Sequence, residues 1–275
     1  MTPRGFRFAA VEAAVKKPGR LDLGLILSEP EAAVAGVFTR NRVVAAPVVL
    51  CRERLAGGRA RAVLVNSGNA NACTGARGLE DGERLVRRLA TLCGAEAREV
   101  FPCSTGVIGL PLPVARMEAA LPKLLEALGD DPGPFARSIM TTDSFPKVST
   151  RAFAAGSREI RVLGAAKGAG MIRPDVATML AFLVTDAPVG APVLQRALAQ
   201  AAEATFNRIT VDGDTSTNDT VLALANGAAG GKPLEGDPRA LSALAGALEE
   251  VCRDLARMMV RDGEGATKVV DIRVR

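Results

Sequence analysis

One threonine, Thr178, stands where a glycine-rich loop becomes an apolar segment, in KGAGMIRPDVATMLAF (167–182). The chain contains no histidine, the usual general base near neutral pH, so a hydroxyl nucleophile here needs another base. If the peptide bond between Ala177 and Thr178 is cut, the new α-amino group, whose ordinary pKa is about 8, can accept the hydroxyl proton. A threonine at such a place is otherwise a common β-former.

Two other polar segments invite a binding interpretation. The loop Lys167-Gly-Ala-Gly170 could hold an anion with its amides and its lysine, but it matches neither a P-loop nor a dinucleotide fingerprint. A plain turn and a substrate-carboxylate site remain the two alternatives. The acidic run VDGDTSTND (211–219) lacks the glycine and the closing glutamate of a calcium loop, so a turn that caps its own backbone is expected and no metal site.

Composition excludes several classes of function. Without histidine, Ser-His-Asp and Cys-His catalysis, His-ligated zinc and c-type haem attachment are ruled out. The net charge of +5 is scattered, and no Trp or Tyr accompanies the nine Phe, which argues against nucleic acid and membrane partners. Five cysteines without a C-x-x-C pair, and no signal-like segment, predict a cytoplasmic protein.

Hydrophobic periodicity indicates a mixed fold. Helices are predicted over 80–92, 113–128, 192–206 and 238–259. Short apolar segments predict strands over 21–27, 33–38, 48–51 and 60–65, a hairpin over 148–163, a strand leading into residue 211, and an alternating strand over 267–275. Because no strict βαβ rhythm appears, we expect an α+β fold of layered sheets flanked by helices.

Six stretches, in order along nearly the whole chain, make the sequence similar to the ornithine acetyltransferase family, also described as bifunctional glutamate N-acetyltransferase. The fold expected above is the type that this family shows. The stretches are NSGNANACTG (66–75), CSTGVIG (103–109), TTDSFPK (141–147), KGAGMIRPDVATMLAF (167–182), VDGDTSTND (211–219) and RDGEGATK (261–268).

The resemblance implies a precursor that cleaves itself between Ala177 and Thr178, giving an N-terminal chain of residues 1–177 and a C-terminal chain of residues 178–275. In this family the threonine hydroxyl takes the acetyl group from N2-acetyl-L-ornithine as an ester and passes it to L-glutamate. The matching positions assign oxyanion stabilisation to Thr105 and Gly106, and substrate binding to Thr141, Lys167, Thr178 and Glu264.

The same resemblance implies no metal and no cofactor, with acetyl-CoA as a further acetyl donor in some members. It also implies a heterotetramer of two N-terminal and two C-terminal chains. Family members continue well beyond the segment 261–268, and that portion adds substrate-binding side chains. Two alternatives therefore stay open: a self-processing aminopeptidase or amidase of related fold, in which water resolves the acyl-enzyme, and a shortened protein without activity.

Overall fold

The protein is described by a computed structural model over residues 1–173 and 179–274. Strands and helices alternate irregularly, and three short 3-10 turns, Ala97–Glu99, Phe206–Arg208 and Leu234–Gly236, complete the elements. The strands are β1 Phe6–Val11, β2 Leu23–Phe38, β3 Arg59–Asn69, β4 Val100–Val107, β5 Lys147–Ala155, β6 Arg158–Lys167, β7 Leu180–Thr185 and β8 Thr220–Ala225. The helices are α1 Ala46–Leu55, α2 Gly75–Cys93, α3 Val114–Glu126, α4 Gly133–Ser138, α5 Ala191–Ala204 and α6 Pro238–Arg261.

All eight strands are hydrogen-bonded into one continuous sheet with the order β4-β3-β2-β8-β7-β6-β5, and β1 pairs with β2. The pairs β3/β4 and β7/β8 are parallel, and the remaining pairs are antiparallel. Parallel neighbours end at the same edge of a sheet, so the loops that follow them lie close together.

The sheet folds into two layers because β2 passes from one layer to the other. Its first half pairs with β1 and β3, its second half pairs with β8, and the register shifts between Leu27 and Ala32. Between the layers lies an apolar core that contains Phe8, Phe135 and Phe182. The two layers thus bury their facing sides against each other, as in a sheet sandwich.

Helices cover both outer faces. Helices α5 and α6 pack on the layer formed by β5 to β8, where Leu183, Val221 and Leu248 belong to one buried cluster. Helices α2 and α3 pack on the other layer, where Leu25, Leu64 and Leu89 belong to another. The resulting order of helix, sheet, sheet and helix confirms the predicted α+β fold of layered sheets flanked by helices.

Three local expectations are wrong. The apolar segment 48–51 lies in helix α1, where Pro47 occupies the first helical turn. No strand leads into residue 211, since the short turn Phe206–Arg208 precedes it and the strand β8 follows the acidic run. The alternating residues 267–274 form neither helix nor strand.

Within the described ranges, no helix combines the length and the apolar character needed to cross a membrane. The predicted boundary between an N-terminal chain of residues 1–177 and a C-terminal chain starting at residue 178 falls outside the described residues and stays a prediction.

Candidate active site

A cleft of about 470 Å³ opens where β4 and β6 end, and it gathers the predicted site residues that the structure describes. The predicted nucleophile Thr178 and its neighbour Ala177 lie outside the described residues. The predicted site residues on the cleft wall are Thr105, Gly106, Thr141, Lys167 and Glu264.

The predicted oxyanion pair sits at the end of β4, beside the end of β3. In this parallel pair, Thr105 lies opposite Ser67, and Gly106 lies opposite Gly68. The two strands approach so closely that a Cβ on Gly106 would lie 2.3 Å from the carbonyl carbon of Gly68. Its φ of +135° also disfavours any other residue. The sequence therefore needs glycine here to bring the backbone to the cleft wall.

Lys167 ends β6 on the opposite wall and is almost fully buried, with 3% of its surface exposed. Its Nζ lies 3.4 Å from Oγ1 of Thr105. Because an ammonium group can only donate, the hydroxyl oxygen accepts from Lys167 and its own proton is free to point into the cleft. Burial lowers the pKa of Lys167, and the nearby carboxylates of Asp143, Asp219 and Glu264 offset only part of that effect.

A buried carboxylate that sequence analysis did not single out joins two predicted binding residues. Oδ1 of Asp143 accepts the Gly168 N–H at 2.7 Å, and Oδ2 accepts the Thr141 N–H at 3.1 Å. Burial by itself raises the pKa of this carboxyl, but the ammonium groups of Lys167 and Lys147 outweigh it and lower the pKa of Asp143. Asp143 is thus an anion that holds the backbone at Thr141 and the backbone at Gly168 together.

Lys147, at the start of β5, is fully buried between two carboxylates. Its Nζ lies 2.7 Å from Oδ1 of Asp143 and 2.5 Å from Oδ2 of Asp262, which caps the end of α6. Asp262 also accepts the Ser144 N–H, and although burial opposes it, the contacts with Lys147 and Ser144 lower the pKa of Asp262. A buried ion pair of this kind needs both partners, because a single unpaired charge is very costly.

The predicted binding residue Glu264 follows α6 and lies against the glycine-rich loop. Its backbone N–H donates to the carbonyl oxygen of Ala169 at 2.7 Å. A Cβ on Gly170 would come within 2.7 Å of Oε1 of Glu264, so glycine lets the carboxylate approach the loop closely. The glutamate is exposed toward the cleft and faces solvent.

The acidic run 211–219 holds this same loop in place. Oδ1 of Asp212 accepts the N–H of Ile172 at 3.0 Å and that of Asp214 at 3.1 Å, and Oδ2 accepts the N–H of Met171. The expected capping of its own turn is therefore present, together with a contact to a distant loop that the sequence pattern did not indicate. Met171 adopts a φ of +57°, an uncommon conformation that these bonds stabilise.

Asparagine side chains hold the loops behind the predicted oxyanion pair. Nδ2 of Asn218 donates to the carbonyl oxygens of Ala70 and Ser104 at 2.6 and 2.9 Å. Nδ2 of Asn66 donates to the carbonyl oxygen of Asn69 at 2.8 Å, and its Oδ1 accepts the Ser104 hydroxyl at 2.6 Å. The asparagines thus satisfy backbone groups of the loops, which explains why this stretch is rich in them.

Asp219 lies at the point where the described chain resumes. It is 1% exposed, and its Oδ1 accepts the N–H of Met179 at 2.9 Å. Its Oδ2 is buried and has no hydrogen-bond partner among the described residues. Burial raises the pKa of this carboxyl well above its ordinary value. A buried carboxyl group therefore binds Met179, the residue that follows the predicted nucleophile in the sequence.

The cleft presents charges of both signs, and their arrangement suits a small zwitterionic molecule. Lys16, Arg20 and Lys167 contribute positive groups, whereas Asp212, Asp214 and Glu264 contribute negative ones. Among residues 1–173 and 179–274, no three carboxylate or cysteine side chains lie close enough together to hold a metal ion.

Comparison with known proteins shows the family of this chain. The sequence model of the ArgJ family matches residues 7–275. The chain belongs to the ArgJ family.

Two curated ArgJ relatives cover this chain along its length. The arginine biosynthesis bifunctional protein ArgJ of Geobacter sulfurreducens is 53% identical over 276 residues, which is 100% of this chain and 70% of that protein. The protein of the same name from Nitratidesulfovibrio vulgaris is 51% identical over 275 residues, which is 99% of this chain and 69% of that protein. The chain thus spans about 70% of the length of these relatives.

Solved ArgJ structures share the fold. The ArgJ protein from Bacillus halodurans has a TM-score of 0.60 and 36% identity, covering 62% of this chain and 91% of that chain. The ornithine acetyltransferase from Mycobacterium tuberculosis, solved with ornithine, has a TM-score of 0.56 and 39% identity, covering 62% of this chain and 92% of that chain.

An aminopeptidase from Ochrobactrum anthropi, described as a variant of the Ntn hydrolase fold, has a TM-score of 0.58 and 14% identity. It covers 95% of this chain and 85% of that chain, and at this identity the likeness concerns the fold alone. The predicted family is therefore confirmed, and with it an enzyme of arginine biosynthesis on the predicted type of fold.

Proposed function

We propose that this ArgJ protein transfers an acetyl group from N2-acetyl-L-ornithine to L-glutamate through an acetyl ester on Thr178. The observation that carries the proposal is the cleft, whose wall includes Thr105 and Gly106, the proposed oxyanion donors, together with the charged residues Lys167 and Glu264. N2-acetylornithine needs both kinds of group: donors for the developing oxyanion, and opposite charges for its α-carboxylate and its side-chain ammonium.

The reaction begins with the Thr178 hydroxyl and its own α-amino group. The hydroxyl oxygen forms a bond to the acetyl carbonyl carbon while its proton passes to the amine. The tetrahedral oxyanion accepts hydrogen bonds from the Thr105 hydroxyl and the Gly106 N–H. Collapse breaks the bond between carbon and nitrogen, and ornithine leaves with the proton. The glutamate amine then attacks the ester by the reverse sequence and restores the threonine.

Lys167 and Glu264 bind the substrate at its two charged ends. The ammonium of Lys167 pairs with the α-carboxylate, and the exposed carboxylate of Glu264 pairs with the side-chain ammonium of ornithine. Thr141 and Thr142 both line the cleft, with Thr142 the more exposed, and the backbone N–H of Thr141 is engaged by Asp143. The Thr141 hydroxyl is therefore the part of that residue left for substrate.

Self-cleavage between Ala177 and Thr178 is part of the proposal, because only an N-terminal threonine supplies the amine. Two observations support it. Asp219, a buried carboxyl group, binds the N–H of Met179, the residue after the nucleophile. The match to the two solved ArgJ chains includes 91% and 92% of their own lengths but only 62% of this chain. The solved chains are therefore shorter than this one. A family polypeptide divided into two pieces gives such chains.

The test is the variant Thr178→Ala, with Thr91→Ala on the exposed side of α2 as the matched control. Thr178→Ala removes both the hydroxyl and the cleavage nucleophile, so intact mass should show one uncut chain and acetyl exchange should vanish. Wild type and Thr91→Ala should both show two pieces and exchange acetylornithine with labelled glutamate. Exchange that persists in Thr178→Ala contradicts the proposal.

A self-processing aminopeptidase or amidase of the same fold is the second candidate, favoured only by the likeness to the Ochrobactrum enzyme. The transferase and the hydrolase differ in the molecule that takes the acyl group from the threonine, which is glutamate in the first and water in the second. The transferase releases little acetate from acetylornithine, and added glutamate speeds the release of ornithine by taking the acetyl group as N-acetylglutamate. The hydrolase releases acetate at the same rate with and without glutamate. An inactive shortened protein forms no acetylated threonine peptide at all.

The proposed chemistry needs no cofactor, and acetyl-CoA as a second donor is tested by replacing acetylornithine in the same assay. A cytoplasmic location is part of the proposal, supported by five cysteines that form no disulfide. The proposed assembly, two N-terminal and two C-terminal pieces, predicts four polypeptides in the native particle, which native mass spectrometry counts directly.

A further inference from the structure

We propose that Asp143 is a positioning residue, which fixes Thr141 and Lys167 as one unit for the carboxylate of the amino-acid substrate. This inference rests on the function proposed above, since it concerns the same cleft. Asp143 itself is 8% exposed and does not line the cleft wall. Its effect on the substrate therefore has to pass through the residues it binds.

The geometry is a three-way junction. The carboxylate accepts the backbone N–H of Thr141 at 3.1 Å with one oxygen and that of Gly168, the neighbour of Lys167, at 2.7 Å with the other. The oxygen that binds Gly168 also receives Lys147 Nζ at 2.7 Å. Thr141 precedes β5 and Lys167 ends β6, so this carboxylate fixes the distance between them.

The junction extends to the third predicted binding residue. Lys147 also binds Asp262 at 2.5 Å, and Asp262 lies two positions before Glu264. The turn that carries Glu264 is further anchored to the glycine-rich loop by its N–H on the Ala169 carbonyl. Loss of one charge in this buried chain leaves the others uncompensated, so its parts act together.

Electrostatics gives Asp143 a second effect on Lys167. Burial favours the neutral amine, and Asp143 opposes this more than any other group that faces Lys167. Lys147 acts in the reverse direction, because its like charge disfavours a second ammonium beside it. The charged groups that act on Lys167 are Asp143, Lys147, Asp219 and Glu264. The cleft wall also carries the charged residues Lys16, Arg20, Asp212 and Asp214.

The test compares Asp143→Asn with Lys147→Gln. Without the Asp143 charge, Lys167 loses its proton at lower pH, so the alkaline limb of kcat/KM for acetylornithine should move down by about one pH unit or more. KM should rise more than kcat falls. Lys147→Gln removes a like charge and should move the same limb upward. The matched control is Asp254→Asn on α6, a partly exposed carboxylate that binds Ser149 and Arg151 outside the cleft and should leave the profile in place.

A direct readout separates this inference from the proposed reaction. The chain has seven lysines, so side-chain labelled lysine gives a short NMR spectrum in which a Lys167→Met variant assigns the Lys167 signal. The Lys167 titration should move down in Asp143→Asn and up in Lys147→Gln, whether or not wild type exchanges acetyl groups. If wild type shows no acetyl exchange, that result contradicts the proposed function but not this inference about Asp143. The lysines are Lys16, Lys17, Lys123, Lys147, Lys167, Lys232 and Lys268.

A structural role alone gives another pattern. If both variants lower the melting temperature and reduce kcat/KM equally at every pH, with the Lys167 titration unchanged, the inference is overturned. Should Asp143→Asn fail to fold, Lys147→Gln still decides, because an unchanged or downward titration of Lys167 contradicts the electrostatic coupling.

Discussion

At the residue scale, the hydroxyl of Thr105 on the cleft wall is in contact with a buried charge, the ammonium of Lys167. Oγ1 of Thr105 lies 3.4 Å from Nζ of Lys167, and the residue is only 7% exposed. The buried ammonium occupies an acceptor position of the hydroxyl, so the hydroxyl proton points away from Lys167. In the proposed reaction, a hydroxyl held in this way would stabilise the oxyanion with little reorganisation at the moment of transfer.

Thr105→Val removes this donor and keeps the β-branched shape. We expect kcat for acetyl exchange to fall about 10²- to 10³-fold, as for other oxyanion donors, with a nearly unchanged melting temperature. Steady-state kinetics and thermal unfolding measure the two quantities. Thr150→Val on β5, away from the cleft, should leave kcat as it is. A fall of less than about tenfold for Thr105→Val means that the hydroxyl does not donate to the oxyanion.

The site could be predicted only where its residues sit in a motif that carries chemistry. Thr105, Gly106, Thr141, Lys167 and Glu264 were all assigned through the resemblance of their motifs to the family, and the structure brings them to one cleft. Asp143 was missed although Lys147 stands four positions after it, because its partner Gly168 comes from a distant strand end and a carboxylate in a loop carries no signal of burial. Asp219 was seen only as part of a turn for the same reason.

At the element scale, local signals decided which segments were predicted correctly. Helix α2 ends before Gly94, whose φ of +67° is the left-handed conformation that glycine favours at helix ends. The apolar segment 48–51 was misread as a strand because four apolar residues fit both periods. Pro47 before it and Arg52 to Leu55 after it complete three helical turns, and burial of α1 against β4 settles the outcome.

The long helix α6 begins at a side-chain cap that can be tested. The carboxylate of Asp237 accepts the N–H of Arg239 at 3.0 Å and that of Ala240 at 3.1 Å. Asp237→Ala leaves both donors without a partner and should reduce the free energy of unfolding by about 1 kcal/mol. Asp237→Asn keeps an acceptor and should lose much less. Urea denaturation measures both, and equal losses would show that the cap contributes nothing.

At the scale of the whole molecule, the two sheet layers are joined through aromatic side chains. The Phe135 ring lies 5.5 Å from the Phe182 ring at an interplanar angle of 76°, and 6.0 Å from the Phe8 ring. Phe8 belongs to β1, Phe182 to β7 and Phe135 to the short helix α4. The sequence predicted the layered fold, but not that β2 would serve both layers, because a register shift leaves no pattern in residue types.

Phe135→Ala should be among the more damaging single changes, since the ring is fully buried between the layers. Large-to-small changes of this kind cost about 3 to 5 kcal/mol, because they lose apolar contact and leave a cavity. The midpoint of chemical denaturation measures the loss. Leu110→Ala, at a site that is 54% exposed, should change stability by no more than about 0.5 kcal/mol. Similar losses for both variants would show that Phe135 does not join the layers.

The strand order has a consequence for a chain divided after residue 177. Strands β7 and β8 would belong to the second piece, yet they lie between β2 and β6 of the first piece. The second piece would therefore fill the gap between β2 and β6 in the sheet of the first, and the two pieces could not separate without breaking two ladders of hydrogen bonds. Once unfolded, the divided molecule would refold by a bimolecular encounter whose rate rises with protein concentration, whereas the undivided precursor would fold at a rate independent of it. The cut would thus convert a reversible folding reaction into an assembly that is completed once, before the enzyme begins to work.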